Sequence, residues 1–275
     1  MKSTNARALT YAALATVVFA ASAAMAARPS RAARDQSEAT PQQNQLEWTT
    51  PDPASIPAGP LGDSIRLGLN IFRDTPHYAA KHTGDKVSCS DCHLQNGTAA
   101  YASPMVGLPG LFPMYRERSG RVVTFADRIN ECMTRSENGR PFPSRSPELI
   151  GLIAYIQWLS QGWPTGKSFP TRGLVKLPAA LHGDLANGAK IYAAQCAVCH
   201  QTNGAGIPPN FPPLWGPTSF NDGAGMSHVS EMARFVQHAM PQTHPGSLSA
   251  QQAYDVSAYI DSKPRPKFDK QYSIY

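Results

Sequence analysis

The chain has 275 residues, with 25 Lys and Arg against 19 Asp and Glu. Lys2 and Arg7 form a basic start to an apolar run from Ala12 to Ala24, and Ala24-Met25-Ala26 offers an A-x-A cleavage site, so residues 1–26 read as a secretory signal. Without those two bases 23 face 19 acids, a surplus too small for a nucleic-acid role and better suited to anionic substrates or an acidic redox partner. The apolar run is too short and alanine-rich to span a membrane, and no later segment approaches the length required, so the expectation is a periplasmic protein that is not membrane-spanning.

Residues 27–60 are rich in Ala, Pro, Gln, Ser and Thr and predict a loosely ordered leader. Regular structure is expected from Asp63-Ser64, a candidate N-cap for a helix carrying Ile65, Leu69 and Phe72 on one face. Next comes Cys89-Ser90-Asp91-Cys92-His93, which recurs as Cys196-Ala197-Val198-Cys199-His200 behind Asn187, Gly188, Ile191 and Tyr192. C-x-x-C-H is the attachment signature of a covalent c-type haem: two thiols form thioethers to the macrocycle and the histidine supplies the proximal iron ligand. A four-thiolate zinc site or two disulfides are the rivals, but neither explains a histidine directly after both pairs.

The fifth cysteine, Cys132, lies 39 residues after His93, and Met240 lies 40 residues after His200. Both fall where a haem c unit supplies its second axial ligand, which predicts His93 and Cys132 at the first iron and His200 and Met240 at the second. Met133 replaces Cys132 if that thiol is merely structural; Met226, Met232, His238 and His244 are the competitors of Met240.

Each unit closes with a helix. Ser146-Pro147-Glu148 caps one in which Leu149, Leu152, Ile153, Ile156 and Leu159 repeat at helical spacing; Ser249 and Gln252 form a capping box ahead of Val256, Tyr259 and Ile260. Gly-Leu-Ile-Ala-Tyr-Ile at 151–156 echoes Asp-Val-Ser-Ala-Tyr-Ile at 255–260. The expected fold is therefore all-α, two tandem cytochrome c domains over residues 61–164 and 183–275. A Pro- and Gly-rich linker at 165–182 joins them, and each domain is wrapped around one covalently bound haem c.

The segment Arg128-Ile-Asn-Glu-Cys132-Met-Thr-Arg-Ser136, the second haem motif and the late Met240-Pro241 together resemble the periplasmic dihaem thiosulfate dehydrogenases, over about residues 60–265. The resemblance implies an oxidoreductase that joins two thiosulfates to tetrathionate, in a reaction able to run in reverse, at a His/Cys haem, with electrons leaving through a His/Met haem to a periplasmic acceptor cytochrome or similar redox protein. One departure concerns the second haem: some members carry a lysine beside the methionine, and here Ala239 stands there.

The residues agree with that chemistry. Coupling two thiosulfates needs no proton transfer, only room for sulfur anions and a sink for two electrons. A thiolate holds haem 1 at low potential and a thioether raises haem 2, so electrons run from the first to the second. Arg116, Arg118, Arg121, Arg128 and Arg135 surround Cys132 in sequence, and guanidinium forks suit sulfonate oxygens as they suit phosphate. Arg118 and Arg128 are the expected anion clamps, with Ser136 a hydroxyl donor beside the Cys132 sulfur. The alternatives are a dihaem electron-transfer cytochrome without its own substrate and, more distantly, a sulfur-carrier-coupling cytochrome.

Overall fold

The computed structural model describes residues 48–275, which belong to one compact unit, Leu46–Tyr275. The expected signal at 1–26 and most of the leader lie outside the described residues. Within residues 48–59 most side chains are exposed, but Ile56 is buried and Trp48 sets its ring edge-on to Phe169 at 5.4 Å.

The first half contains α1 (Pro60–Arg73), the short turns α2 (Thr75–Tyr78), α3 (Cys89–Cys92) and α4 (Leu94–Gly97), then α5 (Phe125–Arg135) and α6 (Pro147–Leu159). The second contains α7 (Leu185–Ile191), a five-residue π turn at Tyr192–Cys196, α8 (Ala197–His200), α9 (Val229–Ala239) and α10 (Ala250–Asp261). Helix α1 starts earlier than its acidic residues suggested. Gly59 is the N-cap and Pro60 takes the first helical position, where its missing N–H costs nothing, so Asp63 lies within the first turn and pairs with Arg66 at 3.1 Å. The Ser146 and Ser249 caps form as expected, accepting from the amides of Leu149 and Gln252, each at 3.2 Å.

In both halves the opening and closing helices cross at a glycine. A Cβ on Gly68 would sit 1.9 Å from the carbonyl oxygen of Gly151 in α6, and one on Gly188 would sit 2.0 Å from that of Asp255 in α10. Around the first crossing Phe72, Leu149, Leu152, Tyr155 and Ile156 are buried together; around the second, Tyr192, Trp215, Tyr254, Val256 and Ile260. A smaller apolar patch joins the halves, where Ala102 meets Phe235 and Ala239, with Leu94 and Met240 packed against it.

One element departs from an all-helical frame. Strands β1 (Met114–Arg116) and β2 (Arg121–Val123) pair antiparallel, Met114 opposite Val123 and Arg116 opposite Arg121, and carry part of the arginine group toward α5. Helix α5 is capped by Thr124 and Asp127 in a reciprocal box. From the second half, Asn221 clamps it by donating to the carbonyl oxygen of Thr134 at 2.9 Å and to Asn138 at 3.1 Å.

Candidate active site

Each C-x-x-C-H histidine is fixed by its outer ring nitrogen. His93 Nδ1 lies 2.7 Å from the Ser103 carbonyl oxygen, and His200 Nδ1 lies 2.9 Å from that of Pro212. A carbonyl only accepts, so each Nδ1 carries the proton and each Nε2 keeps its lone pair for a metal. Burial lowers both pKa values, that of His93 to about 4, with Arg128 adding to the shift and the Ser103 carbonyl opposing it. Both imidazoles are therefore neutral at physiological pH, the form that coordinates iron.

Around His93 the first half forms two adjoining lobes, partly open to solvent and of about 530 and 690 Å³ with that open space counted, that share His93, Met105, Ile129, Cys132 and Ile156 as walls. The smaller is lined by Cys89, Cys92, Met133, Ser136 and Glu137, and the larger by Phe112, Arg116, Phe125, Arg128 and Arg172. The second half holds one void, partly open to solvent and of about 1440 Å³ with that open space counted, lined by Cys196, Cys199, His200 and Met240, with Met226 and Met232 also on its wall. His238 Nε2 instead contacts the Ala100 carbonyl oxygen at 2.9 Å.

These voids fit a flat apolar macrocycle tethered through two thiols and a histidine. The five cysteines are not joined in disulfides, and among the described residues no His, Cys, Asp and Glu side chains converge as a metal cluster, so the zinc and disulfide readings lose their geometric basis. Val87 and Cys92 line both the smaller lobe of the first half and the void of the second, and Ser90, Asp91 and Leu94 extend that shared wall. The first haem motif is thus the partition between the two cavities.

The structure sorts the sequence-predicted site residues. Cys132 lies on the shared wall of both first-half lobes, and Arg128 Nη1 donates to its Sγ at 3.0 Å and to Glu131 Oε2 at 3.1 Å. The Cys132 charge raises the Arg128 pKa against the opposing effect of burial, and Glu131 adds to the rise. Ser136 lines the lobe that Arg128 does not, and its amide donates to the Cys132 carbonyl at 2.7 Å.

Arg118 lines neither lobe. It reaches Glu131 Oε1 at 3.5 Å and the Gly223 carbonyl oxygen of the second half at 3.4 Å, because the turn after β1 aims it across the interface. The larger lobe holds Arg116 and Arg172 instead. Arg172 lies in the linker, 40 residues after Cys132, and carried no sequence signal.

A family model described as "SoxA/TsdA, cytochrome c domain" matches residues 75–165, and one described as "Cytochrome C oxidase, cbb3-type, subunit III" matches residues 183–260. The chain is 40% identical over 222 residues to the thiosulfate dehydrogenase of Stutzerimonas stutzeri, covering 79% of this chain and 72% of that protein. Against the thiosulfate dehydrogenase of Allochromatium vinosum it is 40% identical over 231 residues, covering 81% and 86%. The solved thiosulfate dehydrogenase TsdBA from Marichromatium purpuratum superposes with a TM-score of 0.75 at 40% identity, over 80% of this chain and 50% of the solved one. With two haem c units on one chain and identity of this extent, the protein belongs to the thiosulfate dehydrogenase family of dihaem cytochromes c.

Proposed function

We propose that the protein oxidises thiosulfate at the first haem cavity, joining the sulfane sulfurs of two molecules into tetrathionate. The reaction forms one S–S bond and releases two electrons and no proton, so it asks no general acid or base of the site. The two covalently bound haems supply the sink, one electron each. The observation that carries the reading is the placement of Cys132, on the wall of the first cavity with the Arg128 guanidinium 3.0 Å from its sulfur and Arg116 and Arg172 on the same lobe.

Two thiosulfates bring four negative charges together, a large repulsion in a partly buried cleft. Arg116, Arg128 and Arg172 offset it and turn the sulfonate ends outward, so that the sulfane sulfurs face the cavity centre and the Cys132 sulfur. Arg118 no longer serves as a direct clamp in this scheme. Ser136 stays a hydroxyl donor on the opposite flank of Cys132.

His93 and Cys132 would hold the first iron, His200 and Met240 the second. A thiolate donor at one and a thioether at the other favour electron flow from the first to the second. The partition made by Val87 and Cys92 supports a short path between them. Export to the periplasm and delivery to an acceptor cytochrome or similar redox protein complete the reading. Among the described residues no helix is long and apolar enough to cross a membrane.

The test is anaerobic ferricyanide reduction by the purified dihaem protein with thiosulfate as sole donor. Consumption of one thiosulfate per ferricyanide, with tetrathionate as product, is the expected result. A protein whose haems exchange electrons with small redox proteins but not with thiosulfate would be the carrier cytochrome instead.

A further inference from the structure

Glu131 has no task in that scheme, although among the described residues no other carboxylate meets more than one guanidinium. It is 5% exposed and directly precedes Cys132 on α5. Its two oxygens divide the arginines. Oε2 takes Arg128 at 3.1 Å and Arg116 at 3.6 Å, the pair that lines the haem 1 cavity. Oε1 takes Arg118 at 3.5 Å and Arg135 at 3.9 Å, and those two also donate to the Gly223 carbonyl oxygen of the second half at 3.4 and 3.5 Å.

Attraction alone argues against this arrangement. A buried carboxylate beside a site for dianions subtracts one charge from four and repels the substrate. Orientation argues for it. Arginine side chains are long, and four like charges this close would spread apart without an anion between them. A carboxylate that accepts from Arg128 on one oxygen and Arg118 on the other, with Arg116 and Arg135 held as ion pairs, restrains all four, and Arg135, lying 3.9 Å over the Phe268 ring, anchors the far side.

We propose that Glu131 is a positioning residue for the anion site: it aims Arg116 and Arg128 at the cavity by tying them, through one carboxylate, to the arginines that grip the second haem unit. The proposal rests on the anion site assigned above. It adds that the site's geometry is set partly from the electron-exit half of the molecule.

Two variants separate geometry from charge. Glu131→Asp keeps the charge and withdraws the carboxylate by one methylene; Glu131→Gln keeps the reach and removes the charge. The dihaem proteins are titrated calorimetrically with sulfate, a sulfur dianion that cannot be coupled, and assayed for thiosulfate KM and kcat. Loss of one charge-assisted contact predicts sulfate binding weaker and KM higher by about tenfold in both variants, with kcat nearly unchanged and both haem spectra intact.

If Glu131 only balances charge, Glu131→Asp would behave as wild type and Glu131→Gln would bind sulfate more tightly, and that pattern overturns the proposal. Should Glu131→Gln fail to fold, Glu131→Asp decides alone, because unchanged binding in it is already sufficient to overturn. Wild-type protein that binds neither sulfate nor thiosulfate would remove the anion site itself, a failure distinct from that of Glu131.

Discussion

The two haem units share a frame and differ in the helix that follows the haem motif. Both open with a glycine, an isoleucine and an aromatic at matching positions, Gly68, Ile71 and Phe72 against Gly188, Ile191 and Tyr192. Both pin the motif histidine to a carbonyl oxygen and close with a helix that contains Ala-Tyr-Ile. In the second unit helix α9 buries Met232, Ala233, Phe235, Val236 and Ala239, an apolar face of which Met232, Phe235 and Val236 line the haem cavity, and Met240 follows as its C-cap. In the first, α5 buries Asn130, Glu131, Thr134 and Arg135 beside Ile129 and Met133, and Cys132 lies within the helix, not after it. The frame holds a haem in either case. What differs is the surroundings of Cys132 and of Met240, polar and basic in the first unit and apolar in the second, and a polar buried helix is costly unless every group has a partner.

Cys132→Met makes the first unit resemble the second and has the largest expected effect. Methionine ligates iron and keeps an apolar stem against Ile129 and Met133, so the dihaem protein folds, whereas the thiolate is lost as low-potential ligand and as the partner of Arg128. Thiosulfate-dependent ferricyanide reduction is expected to fall by more than about a hundredfold, the loss typical of removing a group that acts on the reacting atom. Near wild-type turnover with a His/Met spectrum at haem 1 would show that the chemistry does not use that sulfur.

Gly68→Ala and Gly188→Ala test whether the frames are equivalent. Each added methyl meets the same neighbours: a carbonyl oxygen at 1.9 or 2.0 Å and the Cβ of a tyrosine, Tyr155 at 2.8 Å or Tyr259 at 2.9 Å. Forcing the helices apart is expected to cost about 1–3 kcal/mol or more at either site. Thermal unfolding followed at haem absorption checks it, and a variant as stable as wild type would show that its crossing is not tight.

Much of the frame was legible in the sequence because it rests on local signals. The haem motifs, the Ser146 and Ser249 caps and the echoed hexapeptides each lie within a few residues, and the fold places them as expected. The site was legible only near Cys132. The spacing to His93 brought Cys132 to the cavity, and Arg128, one helical turn before it, faces the sulfur because i and i+4 share a helix face. Arg172 escaped the sequence reading, and the reach of Arg118 to Glu131 and Gly223 was not legible in it, for the same reason: neither is local to α5, so neither the linker path nor the turn after β1 follows from spacing. Glu131 stood in plain sight: Arg128 and Arg135 are its neighbours on one helix face, and tertiary packing adds Arg116 and Arg118.

The arginines sharpen the comparison at smaller amplitude. Arg128→Ala removes a cavity-facing guanidinium and is expected to weaken thiosulfate use by about 1.5–3 kcal/mol in kcat/KM, with both haem spectra retained. Arg118→Ala removes a group 38% exposed that bridges Glu131 to Gly223. Its loss is expected to weaken catalysis less, acting through Glu131. Equal losses in the two variants would return Arg118 to the substrate.

The smallest effect tests the one polar clamp that the second crossing has and the first lacks. Asp255 occupies the place of Gly151 and accepts hydrogen bonds from the Asp184 amide at 2.9 Å, Asn187 Nδ2 at 2.6 Å and Gln251 Nε2 at 2.7 Å. Burial pushes its pKa up, but these donors outweigh it and the net shift is downward. A carboxylate with a depressed folded-state pKa stabilises fully above its unfolded pKa, near 3.9, and that stability fades as pH falls through the folded value. Asp255→Asn keeps the shape, presents one acceptor oxygen instead of two, and turns an amide toward either the Asn187 donor or the Asp184 and Gln251 donors. The expected cost at neutral pH is about 1 kcal/mol, carried by the second unit. The same variant should show a shallower loss of stability with acid than wild type, because the titrating group is gone. Thermal melts between pH 7 and pH 3, read at each haem, check both points, and an unchanged acid limb would mean that Asp255 does not titrate in the folded protein.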